Sequence, residues 1–158
     1  MNANNDAMII QINKPDPALK RLDILVGKWT MKGRTFSAQE DDMSGELLAE
    51  WMPGGFFQRQ TGWIRSGDLL IQAEEIIGYD LKKKMFTSIV FSNLSGDPVP
   101  YKWDINGNKV KHSGSGATYQ GTVSDNGDTI TGRWSPDEGT EETDLTSYVM
   151  TMYRVPGK

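Results

Sequence analysis

The sequence contains no cysteine and only one histidine, His112. The absence of cysteine excludes disulfides, thiolate metal sites and a cysteine nucleophile. One imidazole is too few for the multi-histidine sites that hold zinc or other transition metals within one chain. We therefore expect neither a metal nor a cofactor.

Long hydrophobic runs and an excess of positive charge are also missing. No stretch approaches the roughly 20 apolar residues of a membrane span, and the apolar patch at 8–10 is too short for a signal peptide. The chain carries 17 Lys and Arg against 21 Asp and Glu, a net charge of -4. These features predict a cytoplasmic protein with neither a membrane nor nucleic acid among its partners.

The 158 residues, which include 17 glycines and 5 tryptophans, fit a single domain. We place that domain at 16–158, after a flexible segment at 1–15 that is either frayed or forms a short edge strand through 8–12. One short helix is predicted at the start of the domain, with Asp16 as its cap, Pro17 in its first position and Gly27 at its end. The apolar stripe that this helix must bury consists of Leu19, Leu22 and Val26.

Beyond residue 27 the chain alternates with a period of two, which is typical of strands with one buried face. Turn signals separate these segments, most clearly Asn106-Gly107 and Asn126-Gly127. A meander of about ten strands closes on itself, because closure removes exposed edges. We predict a mostly β protein, a closed antiparallel up-and-down barrel of about ten strands with the helix covering one end.

The segment 19–29, LKRLDILVGKW, resembles the start of the calycin superfamily, which contains the lipocalins and fatty-acid-binding proteins. In those families a short helix leads into Gly-x-Trp, here Gly27-Lys28-Trp29. The resemblance implies that Trp29 lies inside the closed end of the barrel, with Arg154 of the last strand packed over its indole. A guanidinium on a tryptophan face contributes about 0.5–2 kcal/mol, so this pair is expected to be a structural clasp.

An ordered set of motifs also resembles DUF1579, a family of bacterial proteins of unknown function. The motifs are LVGKW, PGGFF at 53–57 and IGYD at 77–80, followed by a hairpin pair. The family often has an arginine after the double glycine, whereas this chain has Phe56, so no role of that arginine carries over. The resemblance implies a lipocalin-like fold and no particular chemistry.

Aromatic and methionine side chains on different strands favour an interior that is either a packed core or an adaptable apolar cavity. The candidate cavity residues are Phe57, Arg59, Trp63, Glu75, Tyr79, Trp103 and Tyr148. Arg59 shares a predicted strand face with Phe57 and Trp63. This placement favours either a side chain that extends to the barrel rim or the anchoring of an anionic ligand, and the alternative is an ion pair inside the barrel with Glu50 or Glu75.

Three ionisable residues leave alternatives open. Glu74 and Glu75 point to opposite faces of one strand, and the alternation allows either of them to line a cavity. His112 is interpreted as a surface or packed histidine, a general base or a haem ligand. Related nitrobindin-type barrels bind haem through one histidine near the C-terminus, whereas His112 lies in the middle of the chain.

Three hypotheses follow. The first is an uncharacterised lipocalin-like barrel that binds a small apolar or amphipathic ligand, and the composition favours this one. The alternative is a small-molecule enzyme of unknown substrate, which requires at least two of Glu75, Arg59, Tyr79 and His112 to converge. The third is a homodimer through an exposed edge or apolar patch.

Overall fold

Ten strands form one closed barrel in a computed structural model that describes residues 13–157. Each strand pairs antiparallel with the next along the chain, and the last pairs with the first, so the predicted fold is confirmed. The strands are β1 (Gly27–Thr35), β2 (Met43–Trp51), β3 (Gln58–Ser66), β4 (Leu69–Asp80), β5 (Met85–Ser92), β6 (Val99–Asn106), β7 (Lys109–Gly114), β8 (Ala117–Val123), β9 (Thr129–Pro136) and β10 (Tyr148–Arg154). The edge strand expected at 8–12 lies outside the described residues, as does most of the segment 1–15.

The predicted helix is a 3₁₀ helix, Pro17–Leu25, and the Asp16 carboxylate caps it by accepting from the Ala18 N–H at 2.9 Å. Because a 3₁₀ helix has three residues per turn, its buried face includes Leu25 and not the expected Val26. Gly27 was expected to end the helix, but it begins β1 with a φ of 130°. No helix in the described part of the chain has the length and hydropathy to cross a bilayer.

The helix covers one end of the barrel, which we call the sealed end. Gln58 donates from Nε2 to the Leu22 carbonyl at 3.0 Å, and Trp51 donates from Nε1 to the Asp23 carboxylate at 2.8 Å. Leu22, on the inner face of the helix, is completely buried. The loops at 52–57, 81–84, 107–108 and 124–128 lie at the same end. The other loops, at 36–42, 67–68, 93–98, 115–116 and 137–147, surround the opposite end, which we call the open end.

Arg154 joins the first strand, the last strand and the helix. Its guanidinium carbon lies 4.1 Å from the centre of the fully buried Trp29 ring. The same guanidinium donates to the carbonyl of Ile24 at 3.0 Å and to the carbonyl of Val26. The indole of Trp29 donates to the Leu25 carbonyl at 2.9 Å. This arrangement is the clasp geometry that the calycin resemblance implies.

Strand β3 turns the opposite face to the barrel interior from the one expected from its aromatic residues. Gln58 and Gln60 face the interior and are buried, whereas Arg59 faces outward. The buried amides are satisfied, because Gln60 donates to the Gln58 carbonyl oxygen at 3.1 Å and Gln58 donates to the helix. A chain of side-chain hydrogen bonds therefore makes an inward polar face stable here.

Candidate functional site

The barrel encloses a cavity of about 200 Å³, which we call the inner cavity. The residues with polar side chains on its wall are Gln60, Glu75, His112, Tyr119 and Tyr148. The rest of the wall consists of Leu25, Met31, Leu47, Gly62, Trp63, Ile64, Ile71, Ala73, Val90, Trp103, Val110, Ile130, Trp134, Met150 and Met152. An apolar protein cavity of about 150 Å³ accommodates benzene, so this one has room for a single-ring organic molecule.

A second cavity of about 170 Å³ lies at the open end, and we call it the mouth cavity. It reaches the β7–β8 turn at Ser115 and the long β9–β10 loop at Leu145. The residues that line both cavities are Glu75, Val90, His112, Trp134 and Tyr148. Glu75 and His112 therefore belong to the part of the wall that the inner cavity shares with the mouth cavity.

Four consecutive strands contribute one residue each to a hydrogen-bonded cluster around Glu75. Its Oε2 accepts from Ser88 Oγ at 2.5 Å, from Trp103 Nε1 at 2.7 Å and from His112 Nε2 at 2.9 Å. The Glu75 residue is only 8% exposed. Trp103 and His112 are directly opposed in the β6–β7 register, and their rings stack with centroids 3.7 Å apart. The cluster is thus built into the regular strand pairing.

The surroundings of Glu75 favour its ionised form. Burial is the largest influence and by itself raises the pKa of the Glu75 carboxyl. The charge on His112 and the hydrogen bonds from His112, Ser88 and Trp103 together outweigh burial, so the pKa lies below its ordinary value. The site therefore holds a carboxylate at neutral pH.

One oxygen of this carboxylate is unused by the protein. Every hydrogen bond that the Glu75 carboxylate accepts goes to Oε2, and within residues 13–157 neither Glu75 Oε1 nor His112 Nδ1 has a partner. In the same residues no fully buried side-chain nitrogen or oxygen lacks a hydrogen bond. Glu75 Oε1 and His112 Nδ1 therefore border open cavity space. Nδ1 is a hydrogen-bond acceptor when the imidazole is neutral with its proton on Nε2.

Aromatic rings surround the cluster on its open side. The Tyr101 and Trp134 rings lie 5.0 and 5.3 Å from the His112 ring, and Tyr148 lies 6.1 Å from Trp134. Burial, the largest cause, raises the pKa of the Tyr148 phenol well above its ordinary value, so its hydroxyl is neutral. The faces of these rings carry partial negative charge, and all three rings line the mouth cavity together with Glu75.

The DUF1579 family, described as a protein of unknown function, matches residues 14–157. The chain belongs to the DUF1579 family. The chain is also similar in fold to the solved structure described as Rv2717c from M. tuberculosis. The TM-score is 0.61 at 11% identity, over 90% of this chain and 100% of that one. That identity is low enough that the likeness shows the barrel fold alone. No curated protein matches the sequence.

The structure brings Glu75, Trp103 and Tyr148 of the candidate residues together in this DUF1579 barrel. It also decides between the two glutamates, since Glu75 is inside and Glu74 is exposed on the outer face. Trp63 borders the inner cavity and also a groove of about 410 Å³ on the outside of the barrel.

The other three candidates lie away from both cavities, contrary to expectation. Arg59 pairs with Glu50 at 2.9 Å on the outer face, with 43% of its side chain exposed. Phe57 precedes β3 and packs over Gly78, where a Cβ would lie 2.8 Å from its ring. Tyr79 lies near the sealed end, 5.2 Å from the Phe86 ring. Arg59 lies outside the cavities because β3 turns its other face to the interior. Phe57 and Tyr79 lie outside them because both are near the sealed end.

Ser88 and Gln60 belong to the site but could not be selected from the sequence. A serine and a glutamine within alternating strands carry no signal of burial. His112 had one usable signal, because it shares the parity of Val110 on β7. The acid/base alternative required convergence of two residues, and Glu75 meets His112 whereas Arg59 and Tyr79 do not. Buried carboxylate–imidazole pairs occur in structural roles as well as in catalysis, so this pair by itself favours no reaction.

Proposed function

We propose that this DUF1579 chain is a lipocalin-like barrel of the cytoplasm that binds a small apolar or amphipathic molecule in its interior. One observation carries the proposal: an apolar cavity of about 200 Å³ ends at a buried carboxylate with one unused oxygen. Apolar walls provide affinity by removing hydrophobic surface from water, and a few polar atoms fix the orientation of the ligand.

The positions of the two cavities support a route to the interior. The sealed end is covered by the helix and its buried leucines, whereas the mouth cavity lies among the loops of the open end. A ligand that enters between Ser115 and Leu145 reaches the inner cavity past the residues that both cavities share, which include Glu75 and His112. This order suits an amphipathic molecule whose apolar part points towards the helix.

The test is isothermal titration calorimetry with three single-ring compounds of matched size: benzyl alcohol, benzylamine and benzoate. We expect at least one of them to bind. In the variant Val90→Phe a phenyl ring occupies space that both cavities share, and we expect it to weaken binding by about tenfold or more. The matched control is Ile89→Phe, because Ile89 is the next residue on β5, is 45% exposed and lines neither cavity.

Near-ultraviolet circular dichroism and thermal unfolding establish that each variant is folded. If Val90→Phe does not fold, Ala73→Leu fills the inner cavity with a smaller change. Absence of binding by all three compounds, or equal binding to the Val90→Phe and Ile89→Phe variants, would contradict the proposal.

A further inference from the structure

The charge distribution around the cavities points to the class of ligand. We propose that the barrel binds an organic cation, a primary amine carried by a single ring or a short apolar chain, with its ammonium group at Glu75. This inference rests on the proposed function and narrows it. Three independent features carry it: the unused carboxylate oxygen, the aromatic rings beside it and the charge of the loops at the open end.

The first feature is the carboxylate oxygen of Glu75 that accepts no hydrogen bond from the protein. Oε2 is occupied by three donors from the protein, and Oε1 borders the cavity without a partner among the described residues. A carboxylate oxygen can only accept, so the ligand atom opposite it must be a donor. A charged N–H donor makes a hydrogen bond about twice as strong as a neutral one, which favours an ammonium over a hydroxyl.

His112 leaves this position available. Its Nε2 donates to Oε2 and not to Oε1, so the pair does not occupy the oxygen that faces the cavity. The other ring nitrogen, Nδ1, also borders the cavity. The acceptor that the cluster presents to the cavity is therefore the free oxygen of Glu75, in a position that the imidazole does not occupy.

The second feature is the aromatic surface of the mouth cavity. Tyr101, Trp134 and Tyr148 line it together with Glu75. A cation within about 6 Å of such ring centres is attracted by the negative face of the ring, and the attraction is larger in a desolvated site. The same rings repel a carboxylate that lies over their faces.

The third feature is the charge of the open end. Its five loops, at 36–42, 67–68, 93–98, 115–116 and 137–147, contain ten Asp and Glu and no Lys, Arg or His. The loops of the sealed end, at 52–57, 81–84, 107–108 and 124–128, contain three Lys and two Asp. The approach to the mouth cavity is therefore strongly acidic, and it raises the local concentration of cations while it repels anions.

The experiment compares the affinities of benzylamine, benzyl alcohol and benzoate at neutral pH by calorimetry. The three share one ring and differ in the charge of the terminal group. We expect benzylamine to bind about tenfold more tightly than benzyl alcohol, and benzoate to bind least. We also expect the affinity for benzylamine, but not for benzyl alcohol, to fall when salt is raised, because salt screens the acidic loops.

Two substitutions on neighbouring positions of β4 provide the matched comparison. Glu75→Gln removes the charge inside the barrel, and we expect the preference for benzylamine over benzyl alcohol to disappear. Glu74→Gln removes a charge on the outer face of the same strand, and we expect it to leave the preference unchanged. If Glu75→Gln does not fold, Trp134→Leu tests the aromatic contribution, with the affinity for benzylamine reduced more than that for benzyl alcohol.

The outcomes separate this inference from the proposed function. If benzyl alcohol or benzoate binds as tightly as benzylamine, the barrel is a binding protein but the cation assignment is wrong. If Glu75→Gln and Glu74→Gln change the preference equally, the charge inside the barrel does not select the ligand and the assignment is also wrong. If none of the three compounds binds, the proposed function itself fails.

Discussion

His112 Nε2 lies 2.9 Å from Glu75 Oε2, although the two residues are 37 positions apart and belong to strands that do not pair with each other. Glu75 is on β4 and His112 is on β7, so the contact spans the two intervening strands across the interior of the barrel. Ser88 and Trp103 on those intervening strands donate to the same oxygen. One oxygen of the β4 residue Glu75 thus accepts hydrogen bonds from three other strands beside the mouth cavity.

Removal of this carboxylate is expected to destabilise the fold. Glu75→Ala leaves the donors of Ser88, Trp103 and His112 without their acceptor in a buried site, so we expect the free energy of unfolding to fall by about 3–5 kcal/mol. Glu74→Ala, on the exposed face of the same strand, should change it by no more than about 0.5 kcal/mol. Urea unfolding measures both, and equal losses would contradict a structural role of the cluster.

The lowered pKa of Glu75 predicts a dependence of stability on pH. A carboxyl whose pKa is lower in the folded state stabilises the fold above its unfolded value, here about 4.5, and loses that contribution as pH falls through the folded pKa. We expect the difference in unfolding free energy between the wild type and Glu75→Gln to shrink as pH is lowered below about 4.5. The contacting His112 remains in both proteins, as do Asp42 and Asp80, whose pKa values are also lowered. A difference that stays constant over this range would show that Glu75 does not titrate in this way.

The contact between Arg154 and Trp29 predicts a stability effect at the sealed end. Arg154→Ala removes the contact with the indole and leaves two carbonyls of the helix region without their donor, so we expect a loss of about 2–4 kcal/mol. Arg154→Lys keeps the charge but not the planar fork of donors, and should recover only part of the loss. Arg59→Ala serves as the control, since Arg59 is on the outer face and its removal should leave stability nearly unchanged. A similar effect of Arg154→Ala and Arg59→Ala would exclude the clasp.

The hydrogen bond from Gln58 to the helix is expected to contribute to the stability of the fold. Gln58→Leu has a similar volume but leaves the Leu22 carbonyl and the Gln60 amide without their hydrogen bonds, so we expect a loss of about 1–3 kcal/mol. Gln72→Leu, at an exposed position on β4, is the matched control with little effect expected. Thermal unfolding measures both variants. A Gln58→Leu protein as stable as the wild type would show that hydrophobic burial alone holds the helix.

The strands and their closure could be predicted because hairpin connections impose sequential pairing, and the period of two follows directly from strand geometry. The type of helix could not be predicted, because the apolar residues fit an α-helical stripe through Leu19, Leu22 and Val26 as well as the observed 3₁₀ stripe through Leu19, Leu22 and Leu25. The face of β3 was predicted wrongly because the interior position next to the helix is taken by Gln58 and Gln60, whose side chains are satisfied by a hydrogen bond between them and one to the Leu22 carbonyl.

The candidate site was predictable only in part. Glu75 and Trp103 stand out by residue type within alternating strands, but their contact depends on the curvature of the barrel, which no local pattern encodes. His112 and Ser88 reach Glu75 from other strands, so their roles depend on long-range register. Phe57 and Tyr79 show the converse, since both are aromatic and neither reaches the cavity.

The most direct test of the account is nuclear magnetic resonance of the imidazole nitrogens, in protein without a histidine tag. His112 is the only histidine of the chain, so its signals need no assignment by mutation. Of benzylamine, benzyl alcohol and benzoate, the compound that binds most tightly is added to saturation, as judged by calorimetry. We expect a change in the Nδ1 resonance of His112, because that atom borders the cavity beside Glu75. A saturated protein whose His112 resonances are unchanged would contradict a ligand site at the Glu75–His112 pair.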